Sequence, residues 1–320
     1  MNIVTAKEKV ICAGHELLAR SMTTRTWGNI SCRVSSSESS FPDTDSFVIT
    51  PSGKDYATIS PDEIVEISLA DLSYDSKEVP SMEYRIHADV YRTHPEANFV
   101  LYTTQINASA VSAMELKRIA FDKDYPGIGK FAVCAEYALS GSLRLSGFIS
   151  RALKETIGNA IILKNHGALC FGKSMEEALK IAETLEIACG EYLKSLGVEP
   201  WDPKSWVAGQ WNSSPALEKY MKIRDTLPAY LEDFAQLVGP ELKIYDECSD
   251  KQIADAALKG IPILDRKLGC MCFGDDKEAL AVAIEKNCMA ALAALGVKPL
   301  DPLIARLMRG KFRVKYEKLR

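Results

Sequence analysis

Val10, Ile11, Leu17 and Leu18 recur on one side of a 3.6-residue period, predicting an opening helix. "NISCRV" and "SFVITP" are β-branched or apolar runs and predict strands, separated by a Ser-rich loop from Ser35 to Ser46. "SPDEIV" predicts a helix start, with Ser60 as cap, Pro61 in the first turn and Glu63 reaching back. "VEISL" follows as a strand. From Ser81 a helix carries Met82, Ile86, Val90 and Tyr91 and ends near Pro95. Strand "FVLYTT", helix "NASAVSAM", strand "KFAVCAEY" and helix "LSGFISRALKETIG" come next. In "AIILKNHGALCFG" two apolar runs meet at Asn165-His166-Gly167, a tight turn, before a long helix capped at Ser174 and stopped at Gly197. Several strands lead into turns rather than helices. That predicts an α/β fold with a mixed, mainly antiparallel sheet and helices on both faces.

Beyond Pro200 the pattern breaks, then partly recurs. "WDPKSWVAGQWNSSP" is rich in Pro, Trp, Ser and Gly and reads as a linker or irregular arm. After it, "ILDRKLGCMCFGDDKEALAVAIEKNCMAALAALGVKPLDP" echoes "ILKNHGALCFGKSMEEALKIAETLEIACGEYLKSLGVEPWDP". Cys-Phe-Gly, Glu-Ala-Leu, Leu-Gly-Val and Asp-Pro return in one order at nearly one spacing. This predicts a domain over 1–200, a linker or helical arm over 201–240, and a degenerate partial repeat over 241–320. Leu268 stands where His166 stood, so the copy lacks whatever His166 does.

Composition narrows the function classes. The 320 residues carry 39 Lys+Arg against 43 Asp+Glu, a net charge of −4, which argues against generic nucleic-acid binding. At 47% hydrophobic the chain can bury a substantial core, yet no apolar run reaches the roughly 18 residues of a membrane span. The N-terminus is charged and amphipathic, unlike a signal peptide. Nine scattered cysteines fit reduced thiols. The expectation is a cytoplasmic globular protein.

Three polar turns could carry chemistry. "TWGNIS" offers Gly28, Asn29 and Ser31; "ITPSGKDY" offers Thr50, Ser52 and Gly53; "PSMEYRIH" places Ser81 and Glu83 at a helix start. Each alone is also ordinary turn composition, and Glu83 is also a carboxylate favoured by a helix dipole. Together they could bring backbone N–H groups and hydroxyls onto a phosphate, with Glu83 as general base. The basic end "RGKFRVKYEKLR", alternating with Phe312, Val314 and Tyr316, reads as a solvated edge strand or tail.

The ordered series "GNIS", "ITPSG", "PSMEYRIH", "NFVLYTTQINASAVSAM" and "KNHG" resembles the class II aldolase/adducin family over roughly residues 4 to 200. The resemblance implies a three-layer α/β/α sandwich, a homotetramer with sites between subunits, and sugar-phosphate chemistry. It puts Gly28, Asn29, Ser52, Gly53 and Ser81 at the phosphate, Glu83 at the catalytic carboxylate, and His166 among three zinc-binding histidines. The other two ligands form a His-x-His in that family; here Tyr102 and Thr104 hold those places, and Met82 replaces a second phosphate-binding hydroxyl. Zinc in such a lyase stabilises an enediolate and takes three nitrogen or oxygen donors, for which threonine and tyrosine substitute poorly.

The sequence therefore predicts a family member with an incomplete metal site and no assigned cofactor. It would be a pseudoenzyme that binds a small anionic or sugar-phosphate ligand or serves in assembly, with no nucleic-acid or membrane partner. The alternative is a divergent aldehyde-lyase or epimerase with Glu83 as base and a tyrosine as acid, working either with zinc or another divalent metal on a different ligand set or without metal. Glu83 and His87 share a helix face, so Glu83, His87 and His166 are the candidate set for such a metal, although the resemblance favours a structural His87, since zinc-binding aldolases with all three histidines can also carry a His there.

Overall fold

The computed structural model describes residues 1–320 apart from 25, 42–43, 202–205, 208 and 317–320. The chain divides into two compact units, residues 1–108 with 116–188, and residues 109–115 with 189–320.

The first unit is built on an eight-stranded sheet. Its strands are β1 (Asn29–Val34), β2 (Ser46–Ile49), β3 (Val65–Ser68), β4 (Phe99–Thr103), β5 (Arg118–Tyr125), β6 (Gly129–Ala135), β7 (Ala160–Leu163) and β8 (Gly167–Gly172). They run in the order β3-β2-β1-β4-β8-β7-β6-β5. Every neighbouring pair is antiparallel except β6–β7, which needs a crossover helix and has one. The helices are α1 (Ile3–Ala19), α2 (Tyr84–Thr93), α3 (Ile106–Ser112), α4 (Leu143–Glu155) and α5 (Met175–Ser195), and the unit boundaries fall within α3 and α5.

The two-residue period of the strands sorts their side chains. Phe47, Ile49, Val100, Ile161, Leu163 and Phe171 point to one face, where Ile86 and Val90 of α2 and Leu145 and Ile149 of α4 complete one core cluster. α1 lies against β1 and β2, burying Ala6, Val10, Ala13 and Leu17. Helices thus cover both faces of a mixed, mainly antiparallel sheet, as the sequence predicts. The capped "SPDEIV" start yields only one 3-10 turn, Pro61–Glu63, because Val65–Ser68 is drawn into pairing with β2. β5, for which the sequence reading assigned no element, pairs with β6 at the sheet edge. No helix among the described residues is long and apolar enough to cross a membrane.

The second unit holds α6 (Pro215–Met221), β9 (Thr226–Pro228), α7 (Glu232–Leu237), β10 (Glu241–Tyr245), α8 (Asp250–Lys259), β11 (Ile263–Asp265), β12 (Gly269–Met271), α9 (Lys277–Ala293) and α10 (Pro302–Tyr316). Its sheet order, β12-β11-β10-β9, is that of β8-β7-β6-β5. The pairings match as well: β9–β10 antiparallel, β10–β11 parallel across α8, β11–β12 antiparallel. The hairpin register recurs, Leu163↔Gly167 in the first unit and Asp265↔Gly269 in the second. The correspondence reaches back beyond residue 241. Asn212 bridges Cys270 as Thr103 pairs with Ala168, and a seven-residue helix starts three residues after each. The stretch expected as a linker or helical arm thus contains α6, β9 and α7. The first Asp-Pro of the repeat, 202–203, lies outside the described residues.

The basic C-terminal run is helical rather than a strand or tail. Asp301 caps the N–H groups of Leu303 and Ile304, Pro302 opens the helix, and Ala305 and Met308 are buried on a 3.6-residue stripe that packs on α7. That stripe outweighs the alternation of Phe312 and Val314. Residues 317–320 lie outside the described set.

Candidate functional site

The polar turns picked out in the sequence meet at one end of the strands of the first sheet. β1 begins there, β2 and β4 end there, and the β7–β8 turn folds back there. Backbone hydrogen bonds tie the turns together: Thr50 N–H to the Ile30 carbonyl, Ser81 N–H to the Thr50 carbonyl, and Ser52 N–H to the Val79 carbonyl. Gly53 takes φ 80°, which lets the chain reverse after Pro51 and Ser52. Gly28, at φ 73°, lies so close to β4 that a Cβ would collide with the Tyr102 carbonyl. Asn29, Ser81 and Glu83 are all more than nine-tenths buried. Ser81 sits in the turn before α2, not in it, and its hydroxyl accepts the Glu83 N–H at 3.3 Å.

His166 lies in the turn of the β7–β8 hairpin, where Leu163 and Gly167 pair and Asn165 takes φ 63°. Only glycine fits at 167, since a Cβ would meet the Thr103 carbonyl. The His166 ring stacks on Tyr137, centroids 5.4 Å apart and planes 27° apart. Its Nε2–H donates to the Ala138 carbonyl at 2.8 Å, and Ser140 Oγ lies 3.4 Å from Nδ1. The same loop reaches Glu83, whose Oε1 accepts the Gly141 N–H at 3.0 Å. Residues 137–141 are the part of the site that the sequence reading passed over. Their signal, a polar Ser-Gly-Ser break after the strand "KFAVCAEY", was there to find.

Two further histidines, His94 and His87, are hydrogen-bonded within the protein. His94 Nε2–H donates to the Leu153 carbonyl at 3.2 Å and its ring lies against Phe171. His87 is fully buried, Nδ1 2.6 Å from Ser31 Oγ and Nε2 2.5 Å from Asn29 Oδ1. Burial holds its imidazole down at about 3, so it is neutral at physiological pH. The Glu83–His87–His166 metal set is thereby overturned, because both His87 nitrogens are bonded on the β1 side.

Zinc of the family type does not fit these residues. Tyr102 joins the apolar cluster under α2 and α4, Thr104 offers a neutral hydroxyl, and His166 carries its Nε2 proton to a carbonyl. Among the described residues no group of three or more His, Cys, Asp or Glu could hold a metal ion.

Fold and site together define a class. The model of the Class II Aldolase and Adducin N-terminal domain matches residues 8–193, and the chain belongs to that family. It is 29% identical over 198 residues to the L-fuculose phosphate aldolase of Haemophilus influenzae, covering 61% of this chain and 86% of that one. It is 28% identical over 200 residues to the 5-methylthioribulose-1-phosphate/5-deoxyribulose-1-phosphate aldolase of Escherichia coli O45:K1, covering 62% and 88%. A solved L-fuculose 1-phosphate aldolase superposes with a TM-score of 0.54 at 23% identity, over 62% of this chain and 92% of that one, a likeness of fold.

Proposed function

We propose that this protein binds a small sugar phosphate or related anion without zinc-dependent aldol cleavage. The observation that carries the reading is an asymmetry within one site. The Asn29, Ser52–Gly53 and Ser81 turns are knitted together, while two of three metal donors are a phenol and a secondary alcohol at Tyr102 and Thr104. Retro-aldol cleavage leaves an electron pair on carbon that needs an electrophile, and this donor set does not hold one. An anion needs only directed N–H and O–H groups, which the three turns can supply. The relatives whose names specify sugar-phosphate aldolases support a phosphorylated ligand. The reading includes a cytoplasmic homo-oligomer, tetrameric as the family resemblance implies.

Calorimetric titration with inorganic phosphate and dihydroxyacetone phosphate, alongside metal analysis of protein purified without chelator, tests it. The expected result is saturable anion binding with well under one equivalent of zinc. Stoichiometric zinc on His166 at micromolar or better affinity would sink it.

One observation favours a second reading, a divergent aldehyde-lyase or epimerase. The 137–141 loop bonds both Glu83 and His166 and stacks Tyr137 on His166, which puts a base and a phenolic acid on one loop's contacts. Turnover of a ketose phosphate that is lost in Glu83→Gln would establish it.

A further inference from the structure

β1 buries polar residues where its neighbours bury apolar ones. Asn29, Ser31 and Arg33 share the face on which β2 places Phe47 and Ile49 and β4 places Val100, and α2 answers them with His87 and Tyr91. Ser31 and His87 are fully buried. A polar group so placed costs about 1–3 kcal/mol if unpaired, so such a row is stable only when its hydrogen bonds close.

The hydrogens in this row can be assigned by accounting. Tyr91 hydroxyl lies 2.7 Å from Ser31 Oγ, its partner among the described residues, so the phenol hydrogen goes to Ser31. Ser31 must then send its own hydrogen to His87 Nδ1. A neutral His87 with Nδ1 accepting carries its proton on Nε2, and Nε2–H meets Asn29 Oδ1. The reverse assignment would strand the buried phenol hydrogen without an acceptor. The direction of the chain is therefore fixed from Tyr91 to Asn29.

We propose that His87 is a positioning residue for the anion pocket, holding the Asn29 amide with its oxygen inward so that the Nδ2 hydrogens face the ligand. This rests on the anion-binding reading above. An asparagine amide can present either an acceptor or two donors, and only the donors suit an anion. Asn29 Nδ2 has no partner among the described residues, while Oδ1 is taken by His87.

Two measurements on the full-length protein test this. In histidine-labelled protein, ring nitrogen and carbon shifts should report His87 as the neutral Nε2–H tautomer. An Nδ1–H tautomer would overturn the proposal whatever the protein binds, and it needs no variant that folds. The second is inorganic phosphate affinity in His87→Phe and His87→Gln. Phenylalanine fills the ring's space but cannot donate, and should weaken phosphate about tenfold. Glutamine still carries an N–H toward Asn29 Oδ1, and should stay within about threefold of the parent. A merely space-filling role would spare the phenylalanine variant and penalise the glutamine one, which would also overturn the proposal. If the parent binds no phosphate, the pocket reading falls and this proposal with it. If the parent binds phosphate but the tautomer is wrong, only this proposal falls.

Discussion

A buried imidazole that is not bound to a metal must satisfy its two nitrogens within the protein. His166 does so on the 137–141 loop and His87 does so on β1. The residue on which the ligand reading turns is Asn29. Asn29→Leu keeps the side-chain volume but removes both amide donors, so any rise in Tm caused by millimolar phosphate should vanish, since that rise measures binding to the native state. An unchanged rise, read by differential scanning fluorimetry, would place the anion elsewhere. At this scale the sequence was legible where chemistry and turn coincide: Asn29, Ser52, Gly53, Ser81, Glu83 and His166 all stand at one end of the first sheet's strands. A structural His87 was legible, but its partners were not, because Ser31 and Asn29 lie on another strand and become its neighbours only through β1–β4 pairing and the packing of α2. A residue-by-residue reading also cannot see that the 137–141 loop closes over both Glu83 and His166.

The elements were legible where the period was long or a turn was sharp. The β7–β8 hairpin announces itself by Asn-His-Gly, and α4 by "LSGFISRALKETIG", a reading that begins two residues inside the helix capped by Ser142. β5 was missed although its burial alternates at Ile119 and Phe121, because charged Asp122, Lys123 and Asp124 interrupt the run on an edge strand. α10 differs from the expected edge strand or tail because three alternating apolar residues imitate a strand, while the decisive helical stripe begins at Ala305, seven residues before Phe312. One element-level feature is shared by both units. Gly167 and Gly269 open the second strand of equivalent hairpins at φ 148° and φ 101°, each against a carbonyl oxygen, of Thr103 and of Asn212. Alanine at either position would force that contact apart. Gly167→Ala and Gly269→Ala are each expected to cost roughly 2–4 kcal/mol, read from urea midpoints, because two kinds of strain combine. A loss below about half a kcal/mol at 269 would mean that the second hairpin does not hold its strand as the first does.

At the scale of the molecule the two units should answer pH in opposite ways. His87 in the first unit is held at about 3 against an unfolded value near 6.5, so below about pH 6.5 the unfolded chain takes a proton that the folded one refuses. Stability of that unit should fall close to tenfold in equilibrium constant per pH unit on acidification, less so in His87→Phe. Glu285 in the second unit is pushed up to about 7 by burial, partly offset by the Ser214 hydroxyl. There the folded state keeps a proton that the unfolded state releases, so stability falls as pH rises from about 4.5 to 7. Glu285→Gln should remove that decline. Trp27 reports on the first unit, and Trp201, Trp206 and Trp211 on the second, so fluorescence-detected urea titrations at pH 5 and 7 can follow each. The matching sheet order has a kinetic consequence too. In the first unit β1 must find β4 and β4 must find β8 across long stretches of chain, whereas β5 through β8 pair within one continuous segment. The four-stranded sheet of the second unit repeats only that continuous half, so, the isolated Asn212–Cys270 bridge apart, its strand search closes shorter loops. Pulsed hydrogen exchange during refolding should therefore protect Ile244 and Leu264 before Val100 and Leu101; what recurs in this chain is the half of the fold able to assemble without waiting for distant strands.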